Sequence, residues 1–418
     1  MAGPSEVGFA SAKGIFIMVS GNPLEKNSYT KVMPLASENE TTRFFRILDI
    51  IKTEFMPTEA YMREGIPTFI VSFSTDVPDK VNRLGSRLVS ENLGLLVQRN
   101  GSEIILRVTP RQAETQRSAR FIGIPLPVIL FIATVATVTV SGYYASADYV
   151  SVLRVLNLVS TSNMSSMVWS QTALYVVTIM GVVGLHEIGH FLSARMHGVK
   201  ASLPLFIPGI PGLFPGTFGA FIRQERPAMN RNQLFDIGIA GPGVGFIIAM
   251  VASIAGYRMS LGLTAAQLHL LIQSGGVGGV LYPPLIFMLT GRWIFSNPNA
   301  VTYVLHPLAL AGWAGTLITF LNAFPIGQLD GGHVFRALLG RTWHRRLGYV
   351  MAVLMLLSGW WTMALLVTFV IRFNHPGTLD DTTPLSLGRK LLGLVFILMF
   401  VAVFTFSPDS PLIGLLGL

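Results

Sequence analysis

The strongest constraint on the fold is residues 121–144, a run of 24 residues without one charged side chain. About 20 apolar residues in a helix cross the hydrocarbon of a bilayer. Inside hydrocarbon every backbone N–H and C=O must be satisfied by the chain itself, which selects helix for such a run. Comparable runs recur at 171–193, 237–256, 301–324, 347–371 and 391–406. The expectation is a mainly α, polytopic six-helix transmembrane bundle over 121–406, followed by an apolar tail at 407–418. Composition agrees: 51% of residues are apolar and only 12% charged. That is about half the charged share of a soluble protein, too few to cover a water-soluble surface.

The charges divide the chain. Residues 1–120 hold 15 Lys+Arg and 13 Asp+Glu, a balanced set, whereas 121–418 hold 15 and 8. The excess of base beside apolar runs reads as a topology signal. No polybasic run or nucleic-acid-binding motif accompanies it, so no nucleic-acid partner is expected. Arg111, Arg117 and Arg120 before the first run, and Arg195, Lys200, Arg223, Arg226 and Arg231 after the second, place the N-terminal domain and that loop in the cytoplasm of a multi-pass cell-membrane protein. Arg389 and Lys390 fit this six-span scheme less well, since they fall at the outer end of the last run. Residues 1–40 read as a loosely ordered lead-in without a signal or transit peptide. Residues 41–112 read as a small cytosolic α+β regulatory or docking domain. Its helical pattern carries Phe44, Ile47, Leu48 and Ile51, and a hairpin turns at Arg99-Asn100-Gly101-Ser102.

Two segments resist the helical reading. Between 201 and 222 the chain is apolar but carries Pro204, Pro208, Pro211 and Pro215. Open backbone at membrane depth requires cover by protein or water, so a re-entrant loop is expected, ending in the strand Gly216, Thr217, Phe218, Gly219, Ala220, Phe221 and Ile222. Residues 259–291 lack Asp, Glu, Lys and Arg but are broken by Gly275, Gly276, Gly278, Gly279, Pro283 and Pro284. Interfacial, re-entrant and spanning conformations all remain open for them.

The chemistry is carried by His186-Glu187-Ile188-Gly189-His190 within the second run. On a helix, positions i and i+4 share a face one turn apart, so two imidazoles can converge on one metal ion while Glu187 reaches its water as general base. With no cysteine in the chain, thiolate zinc sites, disulfides and cysteine nucleophiles are excluded. A catalytic zinc commonly takes three protein ligands. Among the few acids of the membrane region Asp330 is the candidate, because Pro325, Gly327, Gly331 and Gly332 break the backbone around it. This pairing holds only if 259–291 does not cross the bilayer. His333 reads as a helix-start residue, His306 as a helix-start or gate residue, and His197 and His344 as interface residues.

H-E-I-G-H in an apolar helix, followed by N-x-x-P-x-x-x-L-D-G-G from Asn322, resembles the site-2 protease family of intramembrane zinc metalloproteases, peptidase family M50. The runs beginning at His306 and His375 resemble its archaeal and plant chloroplast yellow-green branch, and an archaeal or other prokaryotic host is expected. The resemblance implies one Zn²⁺ per chain on His186, His190 and Asp330. It further implies catalysis by Glu187 with Asn322 holding substrate or oxyanion, and a transmembrane protein or peptide as substrate. One departure is Gly245, where many relatives carry Asn. The strand at 216–222 is expected to bind substrate by edge pairing. The rival expectations are a zinc-dependent transporter and a non-catalytic relative that only binds membrane substrates. Oligomeric state is not legible.

Overall fold

The computed structural model describes residues 38–411 except 64, 75, 101, 111–119, 122–123, 200, 225–227, 276–280, 295–299, 362, 366, 368–374, 376, 379–383 and 408–409. The lead-in expected over 1–40 lies almost wholly outside the described residues, as does 412–418 of the expected tail. The chain divides into two compact units, one formed by the elements before residue 118 and one by those from 119 onward.

The first unit is α+β. Helix α1 (Glu38–Lys52) buries Phe44, Ile47, Leu48 and Ile51, the face expected from their spacing. Strands β1 (Pro57–Arg63), β2 (Ile66–Ser72), β3 (Leu93–Asn100) and β4 (Glu103–Pro110) form an antiparallel sheet in the order β1-β2-β4-β3. Helix α2 (Val77–Ser90) adds Leu84 and Leu88 to a core shared with Phe69, Ile104, Leu106 and Val108. Strand β1 was not legible in the sequence, because Thr58 and Glu59 fall together on exposed positions and obscure the alternation.

The second unit is mainly helical. After a short pairing of β5 (Arg120–Phe121) with β6 (Ile124–Pro125) come α3 (Leu126–Val155) and α4 (Met164–Met196). A hairpin of β7 (Leu205–Pro208) and β8 (Thr217–Phe221) leads to α5 (Arg231–Met259). Among the described residues, α3, α4 and α5 are long and apolar enough to cross a membrane. Helices α4 and α5 exceed the expected runs by several residues at each end, whereas α3 starts five residues later than its run, after Pro125, and continues eleven residues beyond it.

The stretch after α5 folds as β9 (Leu261–Leu263), α6 (Ala265–Gln273), α7 (Leu285–Ile294) and β10 (Thr302–Val304). Strands β9 and β10 pair antiparallel, and the His306 N–H donates to Ser260 Oγ at 3.0 Å. The end of α5 and the start of α8 (Pro307–Asn322) therefore lie at one level. At 1.5 Å per residue, α6 and α7 are each roughly 15 Å long or less, half of what a crossing requires. Helix α8 then runs back antiparallel to α5. It is shorter than the run at 301–324 because 302–304 is strand and Pro307 opens the helix.

Helix α9 (Asp330–Leu357) contains a break at Gly340, whose φ is +76°. Arg231, from the first turn of α5, donates to the carbonyls of Ala337 and Leu338 at 2.7 and 2.9 Å, satisfying groups that the break leaves free. The run at 347–371 is not one helix: α9 stops at Leu357 and Gly359 turns the chain with φ +87°. Helix α10 (Leu387–Ala402) begins beside the start of α5, where Arg389 grips Asp236 with two hydrogen bonds of 2.7 and 2.6 Å. Its far end meets the end of α9, with the Ser407 N–H donating to the Ser358 carbonyl at 3.0 Å. The chain thus returns between 358 and 386, a reversal absent from the six-run scheme. Arg389 accordingly sits at the same end as Arg231, and its misfit with the positive-inside count disappears.

Helix α5 packs against α4, α8 and α9. Its approach to α8 is set by Gly256, where an added methyl would overlap the backbone of Ala309. A Gly256→Val variant is expected to lose about 3 kcal/mol, the upper range for overpacking. Thermal unfolding in detergent would show this as an earlier transition than for a valine placed at exposed Ile247.

Candidate metal centre

Helix α4 is apolar over most of its length, so His186, Glu187 and His190 are buried by their own helix's packing, each at most 6% exposed. Asp330 arrives from a distant part of the chain. Helix α8 ends at Asn322, a tight turn follows in which the Ile326 N–H donates to the Phe324 carbonyl, and α9 opens at Asp330. His186 Nε2 stands 3.0 Å from Asp330 Oδ2, and His190 Nε2 stands 3.1 Å from Asp330 Oδ1. The two Nε2 atoms are 3.2 Å apart. Among the described residues, this is the one group of three with ligand atoms all within 4.8 Å.

The donor set itself asks for a cation. His190 Nδ1 lies 2.7 Å from the Ile237 carbonyl oxygen, which can only accept, so the proton of a neutral ring sits on Nδ1. Nε2 then presents a lone pair toward a carboxylate oxygen and a second imidazole nitrogen. Lone pairs facing at that distance repel unless a positive charge lies among them. Two neutral imidazoles and one carboxylate suit Zn²⁺, and a backbone carbonyl fixing the other ring nitrogen is the usual support for a metal-binding histidine.

Helix α5 shapes the pocket around these groups. A methyl on Gly241 would overlap His190 Nε2, the nitrogen that faces Asp330. Gly245 faces His186: its Cβ would lie 3.1 Å from Nδ1, a buried nitrogen with no partner among the described residues. The departure noted at Gly245 therefore touches the environment of the His186 ring.

Glu187 points to the same cluster, with Oε1 3.9 Å from His186 Nε2, and the Ile222 backbone lies within hydrogen-bond reach of its carboxylate. The end of β8 is thereby brought beside Glu187. The hairpin's other end is held further along α4, where Tyr175 Oη donates to the Pro215 carbonyl at 3.0 Å. Eleven residues separate Tyr175 from His186, about 16 Å along the helix. Thr217 is buried and donates to the Ile207 carbonyl, whereas Phe218 and Phe221 are 65% and 48% exposed. Gly216 carries φ +92° and abuts the backbone of Val138. Gly219 and Ala220 are half-buried between these positions. Asn322 ends α8 half-buried, and no hydrogen bond joins its amide to the cluster among the described residues.

The remaining histidines separate by environment. His306 caps α8, its Nδ1 accepting from the Leu308 N–H, as its position before Pro307 implied. His197 meets Asp236 at 2.9 Å, joining the end of α4 to the start of α5. His333, His344 and His375 gather near the start of α9. That grouping was invisible in the sequence, because His375 lies 42 residues beyond His333 in the chain.

Gly241→Ala is expected to empty the site while leaving the helices intact. Metal analysis should fall from one zinc per chain toward none, and the same substitution at Gly243, where an added methyl meets nothing within 4 Å, should retain the metal.

The profile of Peptidase family M50 matches residues 174–366. Over 231 residues the chain is 32% identical to "Probable zinc metalloprotease EGY1, chloroplastic" of Arabidopsis thaliana, a match covering 54% of this chain and 41% of that protein. It is 33% identical over 167 residues to "Probable zinc metalloprotease EGY2, chloroplastic" of Oryza sativa subsp. japonica, covering 38% and 28%. The Arabidopsis thaliana EGY2 protein is 28% identical over 251 residues, covering 56% and 43%. The chain thus spans less than half the length of these relatives. No solved structure matches the chain. The matched residues 174–366 contain both histidines, the glutamate and the aspartate of the cluster, so the similarity to peptidase family M50 covers the whole candidate centre.

Proposed function

We propose that the protein is an intramembrane zinc metalloprotease that hydrolyses peptide bonds in or near transmembrane segments of membrane proteins. The observation that carries this reading is the convergence of His186, His190 and Asp330 beside a further carboxylate, Glu187, on a helix of membrane-spanning length. Ionisable groups in such helices are costly to bury and mark function. When bound by His186, His190 and Asp330, zinc supplies a Lewis acid and lowers the pKa of water from 15.7 to about 7. Glu187 is placed to take the proton from the attacking water and deliver it to the leaving amine. Asn322, at the end of α8, is assigned to substrate or oxyanion binding on the strength of its motif position.

The substrate helix must unwind before its peptide bonds can be attacked, losing its internal hydrogen bonds. Strand β8 offers replacement partners. It pairs with β7 along one edge, and its end lies at Glu187. An extended substrate added to the other edge, along Gly216–Ile222, would be drawn past the catalytic carboxylate. In this reading the hairpin is re-entrant, the α4–α5 connection faces the cytoplasm with the N-terminal domain, and the bundle sits in a cell membrane. The chloroplast setting in the names of the plant relatives does not fit the prokaryotic, archaeal-leaning host expected from the sequence.

The direct test uses purified protein in detergent with a single-span substrate. Glu187→Gln is expected to keep its zinc and to lose at least 10² of the cleavage rate, the lower range for a general acid–base group. Equal cleavage by both proteins would remove Glu187 from its role, and zinc flux across vesicles without cleavage would favour a transporter. On β8, Phe218→Asp is expected to slow cleavage of a helical substrate with the zinc content unchanged. An unaltered rate would rule out edge pairing.

A further inference from the structure

Outside the metal cluster, two histidines from distant segments meet ring to ring. His333 Nδ1 and His375 Nε2 are 2.7 Å apart, with the ring planes at 83°. The Gly377 N–H donates to His375 Nδ1 at 2.9 Å. A nitrogen that accepts carries no proton, so the proton of neutral His375 is on Nε2. That proton can only be donated to His333 Nδ1, which makes Nδ1 the acceptor and leaves the His333 proton on its Nε2. The chain of bonds thus has one direction, from the Gly377 N–H through His375 into α9. Among the described residues no partner meets His333 Nε2. The pair is not a second metal site, since no third ligand nitrogen joins it: only His186, His190 and Asp330 form such a group among the described residues.

His333 lies three residues after Asp330 on α9, a spacing that places two side chains about 5–6 Å apart at Cβ on one face. Its Cβ also rests on α5, where a methyl on Gly238 would come within 2.8 Å of it. Gly241, three residues further along the same helix, abuts the ligand nitrogen of His190. His333 therefore borders the cluster on its Asp330 side, while Glu187 and the end of β8 border it on the α4 side.

An extended peptide alternates its carbonyls between two edges. Pairing along β8 satisfies one edge alone. A carbonyl on the other edge, buried without a donor, would cost about 1–3 kcal/mol. We propose that His333 is a substrate-binding residue that donates Nε2–H to a main-chain carbonyl of the extended substrate on the edge away from β8, and that His375 is the positioning residue that fixes its tautomer and ring plane. The proposal rests on the metalloprotease reading and adds a recognition element to it.

Two measurements on the full chain test it. In protein labelled with ¹⁵N in its histidine rings and stripped of zinc, His333 is expected as the Nε2–H tautomer. His375→Phe, which removes the donor, is expected to bring in the Nδ1–H form. Finding Nδ1–H in the unmodified protein overturns the proposal. With a single-span substrate, His333→Phe is expected to keep one zinc and lower kcat/KM about tenfold, as loss of roughly 1.4 kcal/mol implies. His333→Gln, which retains an N–H donor, should recover part of that loss. His375→Phe should fall in the same direction by less, and the double variant should match His333→Phe alone. Full activity of His333→Phe, or additive losses in the double variant, overturns the proposal. If His333→Phe loses its zinc, the ring tautomer and the His333→Gln rate decide. Absence of cleavage by the unmodified protein would sink the metalloprotease reading instead, leaving the tautomer result to stand on its own.

Discussion

Two imidazole nitrogens and a carboxylate held within about 3 Å of one another make an arrangement that folding does not favour by itself. Each of these groups is buried or half-buried, and the hydrogen bond from His190 Nδ1 to the Ile237 carbonyl directs the Nε2 lone pair inward toward Asp330. Repulsion of this kind is affordable only when the surrounding packing over-determines it or a cation relieves it. The helical unit supplies the first condition. Helix α4 carries both histidines at one pitch, and the turn after α8 delivers Asp330 at the start of α9, where the free N–H groups of the first helical turn favour a carboxylate.

Helix α5 makes that packing possible. Its residues Gly238, Gly241 and Gly245 present bare backbone to His333, His190 and His186 in turn. Near its other end Gly256 admits the backbone of α8. Small residues of this kind let helices approach where hydrophobic driving force between apolar helices is weak. At its start, Asp236 binds both His197 of α4 and Arg389 of α10, so three helices are tied at the end where the metal cluster lies. The close contacts are therefore concentrated along one helix that itself supplies no ligand side chain.

Much of the site was legible. His186, Glu187 and His190 declared themselves because the helical repeat alone puts i and i+4 together, and Asp330 because few acids exist in the apolar region. The ends of α4 and α5 followed from hydropathy to within several residues, whereas α3 runs eleven residues past the apolar stretch that ends at 144. The reversal at Gly359 was hidden, since an apolar stretch looks the same whether it runs straight or doubles back. The same holds for residues 259–291, where β9 and β10 pair across 38 intervening residues that carry no pattern announcing it. Strand β1 of the first unit was masked by irregular exposure, and the His333–His375 pair by sequence distance.

By itself the sequence determined the local placement: which imidazoles share one helical face, which carboxylate sits between them in the chain, and which segments prefer hydrocarbon. These follow from the helical pitch and from transfer free energy, both properties of short stretches of chain. Tertiary structure alone decided that Asp330 reaches the histidines, that β8 ends at Glu187, and that His375 orients His333. Each of these joins residues separated by tens of positions or more, and such contacts depend on how many times the chain turns between them. Hydropathy does not encode that number; the backbone pairing of β9 with β10 and the glycine contacts along α5 do.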